Sequence, residues 1–140
     1  MGETIYVTPP DLHLPVQGLR FYFIGGSPEW RQQVQGLVDE VYNSSTVTHY
    51  FTPEPIDDKD IPWVIANIYH ADLIVANLDI INMLELTFIA SLLKHENVWL
   101  YSGQGKNIGI VKILNTIAKS AIIEDLPTFK LALDLEAKHG

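Results

Sequence analysis

One carboxylate is set apart by its neighbours. Glu85 is the only charged residue between Ile80 and Lys94, in the run Ile80-Ile81-Asn82-Met83-Leu84-Glu85-Leu86-Thr87-Phe88-Ile89-Ala90. A helix that is apolar nearly all round is buried. A carboxylate in its first turn is then partly desolvated, while the helix N-terminus favours its charged form. A carboxylate held this way can attack an anomeric carbon or act as a general base. Asn82 and Glu85 also have the spacing of a capping box, in which Glu85 bonds back to the Asn82 amide. The residues alone leave both roles open. Asp79 stands six positions before Glu85. Two carboxylates at one crevice can divide nucleophilic attack and proton transfer between them, and Asp79 can equally be an ordinary loop residue.

Gly25-Gly26-Ser27 is the second place with chemical potential. Free amides at a helix start can cradle a phosphate or a sugar oxygen. The same glycines also suit a tight strand-to-helix turn. Trp30 and Trp63 fall in first helical turns, where an indole can stack on a base or pack in the core, and Trp99 reads as core. Gly103-Gln104-Gly105-Lys106 lacks the upstream glycine and the following Ser or Thr of a P-loop. His13, His49, His70, His95 and His139 share no metal-ligand spacing, and no Gly-x-Ser-x-Gly elbow occurs. No metal and no cofactor are expected.

The elements that must position these groups alternate along the chain. Phe21–Ile24 is a buried strand ended by Gly25-Gly26. Ser27 caps a helix with Pro28 at its first position and Trp30, Val34, Leu37, Val38 and Val41 at helical spacing. Val47–Phe51 is the second strand, and a helix from Asp60-Ile61-Pro62 runs to about His70. Leu73–Ala76 is a third strand without polar alternation, as suits a parallel strand covered on both faces. Asp72, at its opposite end from the crevice, is structural. A helix over 82–93, a strand over Val98–Tyr101, a helix over 107–118, a strand over Ala121–Ile123 and a last helix from Asp125-Leu126-Pro127 follow. That last helix carries Leu131, Leu133 and Leu135.

This alternation predicts an α/β fold with a parallel sheet. The expected form is a flavodoxin-like three-layer sandwich with five strands in the order 2-1-3-4-5. Residues 1–19, with Pro9, Pro10 and Pro15, form an N-terminal arm, and residues 20–140 form the domain. Ligands of such sheets bind beyond the carboxyl ends of the strands, between strands 1 and 3. Gly25-Gly26-Ser27 and Asn77-Leu78-Asp79 flank that crevice.

Composition narrows the possibilities. The 140 residues suit one domain, and 47% hydrophobic with 19% charged residues excludes a disordered chain. A net charge of −8 with nine Lys and Arg argues against nucleic acid or an anionic membrane as partner. The absence of cysteine excludes disulfides, thiolate metal sites and a cysteine nucleophile. No apolar run reaches transmembrane length. Met1-Gly2-Glu3 lacks the basic start of a secretory signal. A cytoplasmic location is expected.

Three segments together resemble one family. Phe21-Tyr22-Phe23-Ile24-Gly25-Gly26-Ser27-Pro28-Glu29-Trp30-Arg31 is similar to the opening of nucleoside 2-deoxyribosyltransferase-like proteins. Ala71-Asp72-Leu73-Ile74-Val75-Ala76-Asn77-Leu78-Asp79 resembles their central strand, and Leu84-Glu85-Leu86 their nucleophile segment. The resemblance covers roughly residues 20–110. It implies that Glu85 attacks the anomeric carbon of a deoxynucleoside or its monophosphate, and that Asp79 helps protonate the leaving base. A second base or water then takes the sugar with net retention. Gly25 and Gly26 would line the sugar pocket, with Ser27, Trp30, Asn77 and Asn82 around it. Tyr22 and Phe23 compete for a catalytic tyrosine position on strand 1. The resemblance also implies a homo-oligomer in which a neighbour completes the pocket, Ser102 and Asn107 being the nearest candidates.

The chain departs from the family's pattern at several points. Asn82 and Thr87 stand where glycines flank the nucleophile, and Val64 stands where some members carry a further Asp. These departures open a second reading, a catalytically degenerate nucleotide-binding or assembly module of the same fold. A third is an NAD-cleaving enzyme of the Toll/interleukin-receptor type, which also uses a glutamate. Arg31 is the only basic residue close to the proposed crevice, which disfavours a phosphorylated substrate.

Overall fold

The computed structural model describes residues 18–42, 46–53, 56–92, 98–101, 122–123 and 126–139. The elements in chain order are β1 (Leu19–Gly25), α1 (Pro28–Val41), β2 (Val47–Phe51), α2 (Ile61–Tyr69), β3 (Leu73–Asn77), α3 (Met83–Leu92), β4 (Val98–Tyr101), β5 (Ile122–Ile123) and α4 (Leu126–His139). A short 3-10 turn, Asp58–Asp60, leads into α2. The expected helix over 107–118, Ser102, Asn107 and the first seventeen residues lie outside the described residues.

The protein is α/β with a parallel sheet. Its four full strands run in the order β2-β1-β3-β4. Where a full fifth strand was expected, the described residues hold only a two-residue ladder that pairs Ile122 and Ile123 with Leu100 and Tyr101. Leu19, expected in the arm, belongs to β1. It is fully buried and pairs with Val47. The strand extends this far because its foot is tied twice to Asp72. The Arg20 amide donates to the Asp72 carboxylate at 2.8 Å, and the Asp72 amide donates to the Arg20 carbonyl at 2.8 Å. Asp72 is thus structural, as its position implied.

Strand alternation sends the side chains of β1 to two cores. Phe21 and Phe23 join Trp30, Val34 and Val38 of α1, Trp99 of β4, and Phe129 and Leu133 of α4. Tyr22 and Ile24 join Val64 and Ile68 of α2, Ile74 and Ala76 of β3, and Ile89 of α3. So α1 and α4 cover one face, while α2 and α3 cover the other. In α4 only Leu133 of the three anticipated leucines is buried. Leu131 and Leu135 are exposed, because the inward stripe runs Phe129–Leu133, one helical turn apart. Burying a side chain such as Leu19, Phe23 or Leu100 completely contributes roughly 1.5–3 kcal/mol each. Among the described residues no helix is long and apolar enough to cross a membrane.

Candidate active site

The carboxyl ends of β1 and β3 meet where the chain leaves β1 toward β2 on one side and β3 lies on the other. Gly25 pairs with Asn77 across that junction. Gly25 and Gly26 have φ of +73° and +84°, conformations that a side chain disfavours. Space demands glycine as well. A Cβ on Gly25 would lie 2.4 Å from the Ile80 carbonyl oxygen and 2.6 Å from that of Asn77. A Cβ on Gly26 would lie 2.5 Å from the Trp30 ring. The Gly26 amide donates to the Ile80 carbonyl at 2.7 Å. The two loops that were expected to flank an open crevice are therefore in contact.

Glu85 closes this junction from the α3 side. It is 2% exposed. Its Oε2 accepts from the Gly25 amide at 2.9 Å. The Asn82 side chain accepts from the Glu85 amide at 2.8 Å, and the Asn82 amide donates to Glu85 Oε1 at 3.4 Å. The capping box is present, and Glu85 does more than cap. One oxygen holds β1 while the other makes only a long bond. Oε1 is accordingly the less engaged oxygen of a carboxylate with about four lone-pair sites.

Tyr22 lies on the Glu85 face of the sheet and Phe23 on the opposite face, as the strand's alternation requires. The Tyr22 hydroxyl is 3.2 Å from the Thr52 hydroxyl, in a buried pair. Burial pushes the Tyr22 phenol up to about 12. The Thr52 hydrogen bond opposes the shift, the Glu85 charge adds to it, and Arg31 opposes it. Thr52, 3% exposed at the carboxyl end of β2, is a site residue that sequence reasoning missed. Its position directly after a strand was the available signal. Trp63 is half-exposed and tilts against Tyr22 and Tyr50, with ring centroids 6.4 Å apart in both cases.

The remaining candidates make these contacts. Ser27 Oγ accepts from the Trp30 amide at 3.1 Å and caps α1, as anticipated. Trp30 is buried between Phe23, Tyr101 and Gly26, with its indole N–H bonded to no partner among the described residues. Asn77 is buried, and its side-chain oxygen accepts from the Asp79 amide at 2.9 Å, turning the chain toward α3. Asp79 is partly buried in that turn. Asn82 is exposed at the start of α3. Arg31 was missed as a positioning group. Its Nε donates to the Gly25 carbonyl at 3.0 Å, and its guanidinium lies 5.5 Å from the Phe51 ring centroid. Gly25 is thereby held from both ends, by Glu85 at its amide and by Arg31 at its carbonyl.

A cleft of about 340 Å³ opens beside this region, lined by Pro28, Arg31, Gln32, Gln35 and Phe51. Among the described residues no group of three or more His, Asp or Glu side chains could hold a metal ion. Comparison of the chain with family models, curated proteins and solved structures finds no match.

Proposed function

We propose that this chain is an N-glycosidic bond enzyme of the nucleoside 2-deoxyribosyltransferase type, a transferase or hydrolase with Glu85 as nucleophile. The observation that carries the reading is the Glu85 carboxylate. It is buried at the junction of β1 and β3, anchored through Oε2 to Gly25, and faces the same side of the sheet as Tyr22. In the reaction, Oε1 attacks C1′ of a deoxynucleoside and the C–N bond breaks. Its electron pair leaves with the base, and Asp79 helps to protonate that base. A second base or water then attacks C1′, and the ester bond to Glu85 breaks with net retention. A backbone amide on Oε2 fixes the carboxylate without engaging the attacking oxygen, which is the economy that positioning requires.

With this reading goes a flavodoxin-like three-layer architecture, in which Ile122–Ile123 occupies the fifth place of a 2-1-3-4-5 sheet. A cytoplasmic location and a homo-oligomer belong to the same proposal. The second reading is a nucleotide-binding or assembly module in which Glu85 only latches α3 to β1. The observation that favours it is that Glu85 is 2% exposed and its Oε2 is held by the Gly25 amide.

Product analysis by liquid chromatography separates the readings. The protein is incubated with deoxynucleosides, their monophosphates and NAD, with and without a free acceptor base. Base release or exchange by the wild type is expected, with at least a thousandfold loss in Glu85→Gln, whose amide oxygen can still accept from Gly25. Turnover that survives Glu85→Gln contradicts the nucleophile. Nicotinamide release alone selects NAD cleavage, and no product with any substrate selects the binding module.

A further inference from the structure

The lining of the cleft beside α1 is rich in donors and short of acceptors. Pro28, Arg31, Gln32 and Gln35 stand at positions i, i+3, i+4 and i+7, one stripe of α1, and Phe51 at the carboxyl end of β2 completes the wall. The chain has 17 acidic and nine basic residues, yet the five lining residues include one cation and no carboxylate. A guanidinium carries five N–H donors and no acceptor, and each carboxamide two N–H donors and one carbonyl. The cation is held in place. Its Nε donates to the Gly25 carbonyl at 3.0 Å, and its guanidinium stands 5.5 Å from the Phe51 ring centroid. Phe51 is itself backed by Phe23, with ring centroids 5.1 Å apart and planes 18° from parallel. Groups fixed beforehand lose little freedom when a ligand arrives. A volume of about 340 Å³ suits a small organic molecule, and a bare ion would leave most of it empty.

We propose that this cleft is a binding site for a small aromatic carboxylate. The carboxylate supplies the acceptors that the lining lacks, as two coplanar oxygens that match the planar fork of Arg31. Gln32 and Gln35 add further donors to the same cleft. Phe51 and Pro28 form the apolar wall on which an aromatic ring packs. Charge separates this ligand from a phosphorylated one. One fixed cation balances the single charge of a monocarboxylate. A phosphate group carries about −1.5 to −2 and would leave excess negative charge on a chain whose net charge is already −8. The cleft lies on the α1 side of the sheet and Glu85 on the α2–α3 side, so the inference goes beyond the N-glycosidic reading and does not rest on it.

The test is a nuclear magnetic resonance titration of the nitrogen-labelled full chain at fixed pH and ionic strength. The probes are benzoate, benzyl alcohol (the ring without the charge) and acetate (the charge without the ring). Benzoate is expected to shift the Arg31 Nε–H and the Gln32 and Gln35 carboxamide signals saturably, with a dissociation constant of about 1 mM or tighter. Benzyl alcohol and acetate are each expected to bind at least tenfold more weakly. Gln35→Glu puts a like charge into the lining and is expected to raise the benzoate constant at least tenfold. Should that variant fail to fold, Gln32→Glu, at an exposed position of the same stripe, reads the same effect. Gln33→Glu adds the same charge to α1 outside the cleft and leaves the constant within twofold. Absence of a saturable shift at these three side chains overturns the inference. So does acetate or benzyl alcohol binding as tightly as benzoate, or Gln33→Glu weakening it as much as the variants in the lining.

Discussion

The Tyr22 hydroxyl sits in a buried pair with Thr52, and burial lifts its pKa from the ordinary 10.0 to about 12. The folded chain therefore keeps the phenol proton over a range where the unfolded chain loses it. Below pH 10 this contribution to stability is fully present. Between pH 10 and about 12 the unfolded state binds fewer protons, so stability falls as pH rises, by about 2–3 kcal/mol in total. Urea unfolding of wild type and Tyr22→Phe at pH 9 and pH 11.5 checks this. The wild type should lose more stability than the variant across that interval, and equal losses would place the titration elsewhere. Glu85 was legible at this scale as a lone carboxylate in an apolar helix, and its capping spacing was legible too. What the residues could not reveal is that the capping carboxylate also holds β1, because the Gly25 amide arrives from sixty residues away. Thr52 and Arg31 escaped for the same reason. Their roles depend on neighbours across the sheet, with no local pattern to mark them.

The elements were legible where local chemistry is strong. Ser27 and Pro28 mark the start of α1, and both act as their types require. The two glycines after β1 mark a turn, but local pattern cannot say that the turn is clamped. That depends on the Ile80 and Asn77 carbonyls, which crowd Gly25 at 2.4 and 2.6 Å from where a Cβ would stand. Gly25→Ala should thus combine a strained positive φ with a backbone collision and destabilise by about 2–4 kcal/mol in urea unfolding. Gly36→Ala in α1 meets nothing within 4 Å and should stabilise by about 0.5–1 kcal/mol. Equal effects of the two changes would mean that the clamp contributes nothing. The foot of β1 shows the limit of hydrophobic pattern. Leu19 and Arg20 join the strand through Asp72, a partner that no run of apolar residues announces.

At the scale of the whole molecule, alternation of strands and helices predicts the parallel sheet and its order, since right-handed crossovers leave few alternatives. The two faces of the sheet then divide the labour. The α1–α4 side buries most of the aromatic core, including Phe21, Phe23, Trp30, Trp99 and Phe129. The α2–α3 side carries Glu85 and Tyr22 within. The most direct measurement is a search for the sugar on the protein. The chain is mixed with a 2-fluorinated arabinosyl nucleoside, which slows release of the sugar from a carboxylate more than its capture. Intact mass and peptide mapping then follow. One sugar per chain is expected, attached to the peptide that contains Glu85 and absent from Glu85→Gln. Base release with the sugar on another residue, or release that leaves no adduct at all, would contradict it.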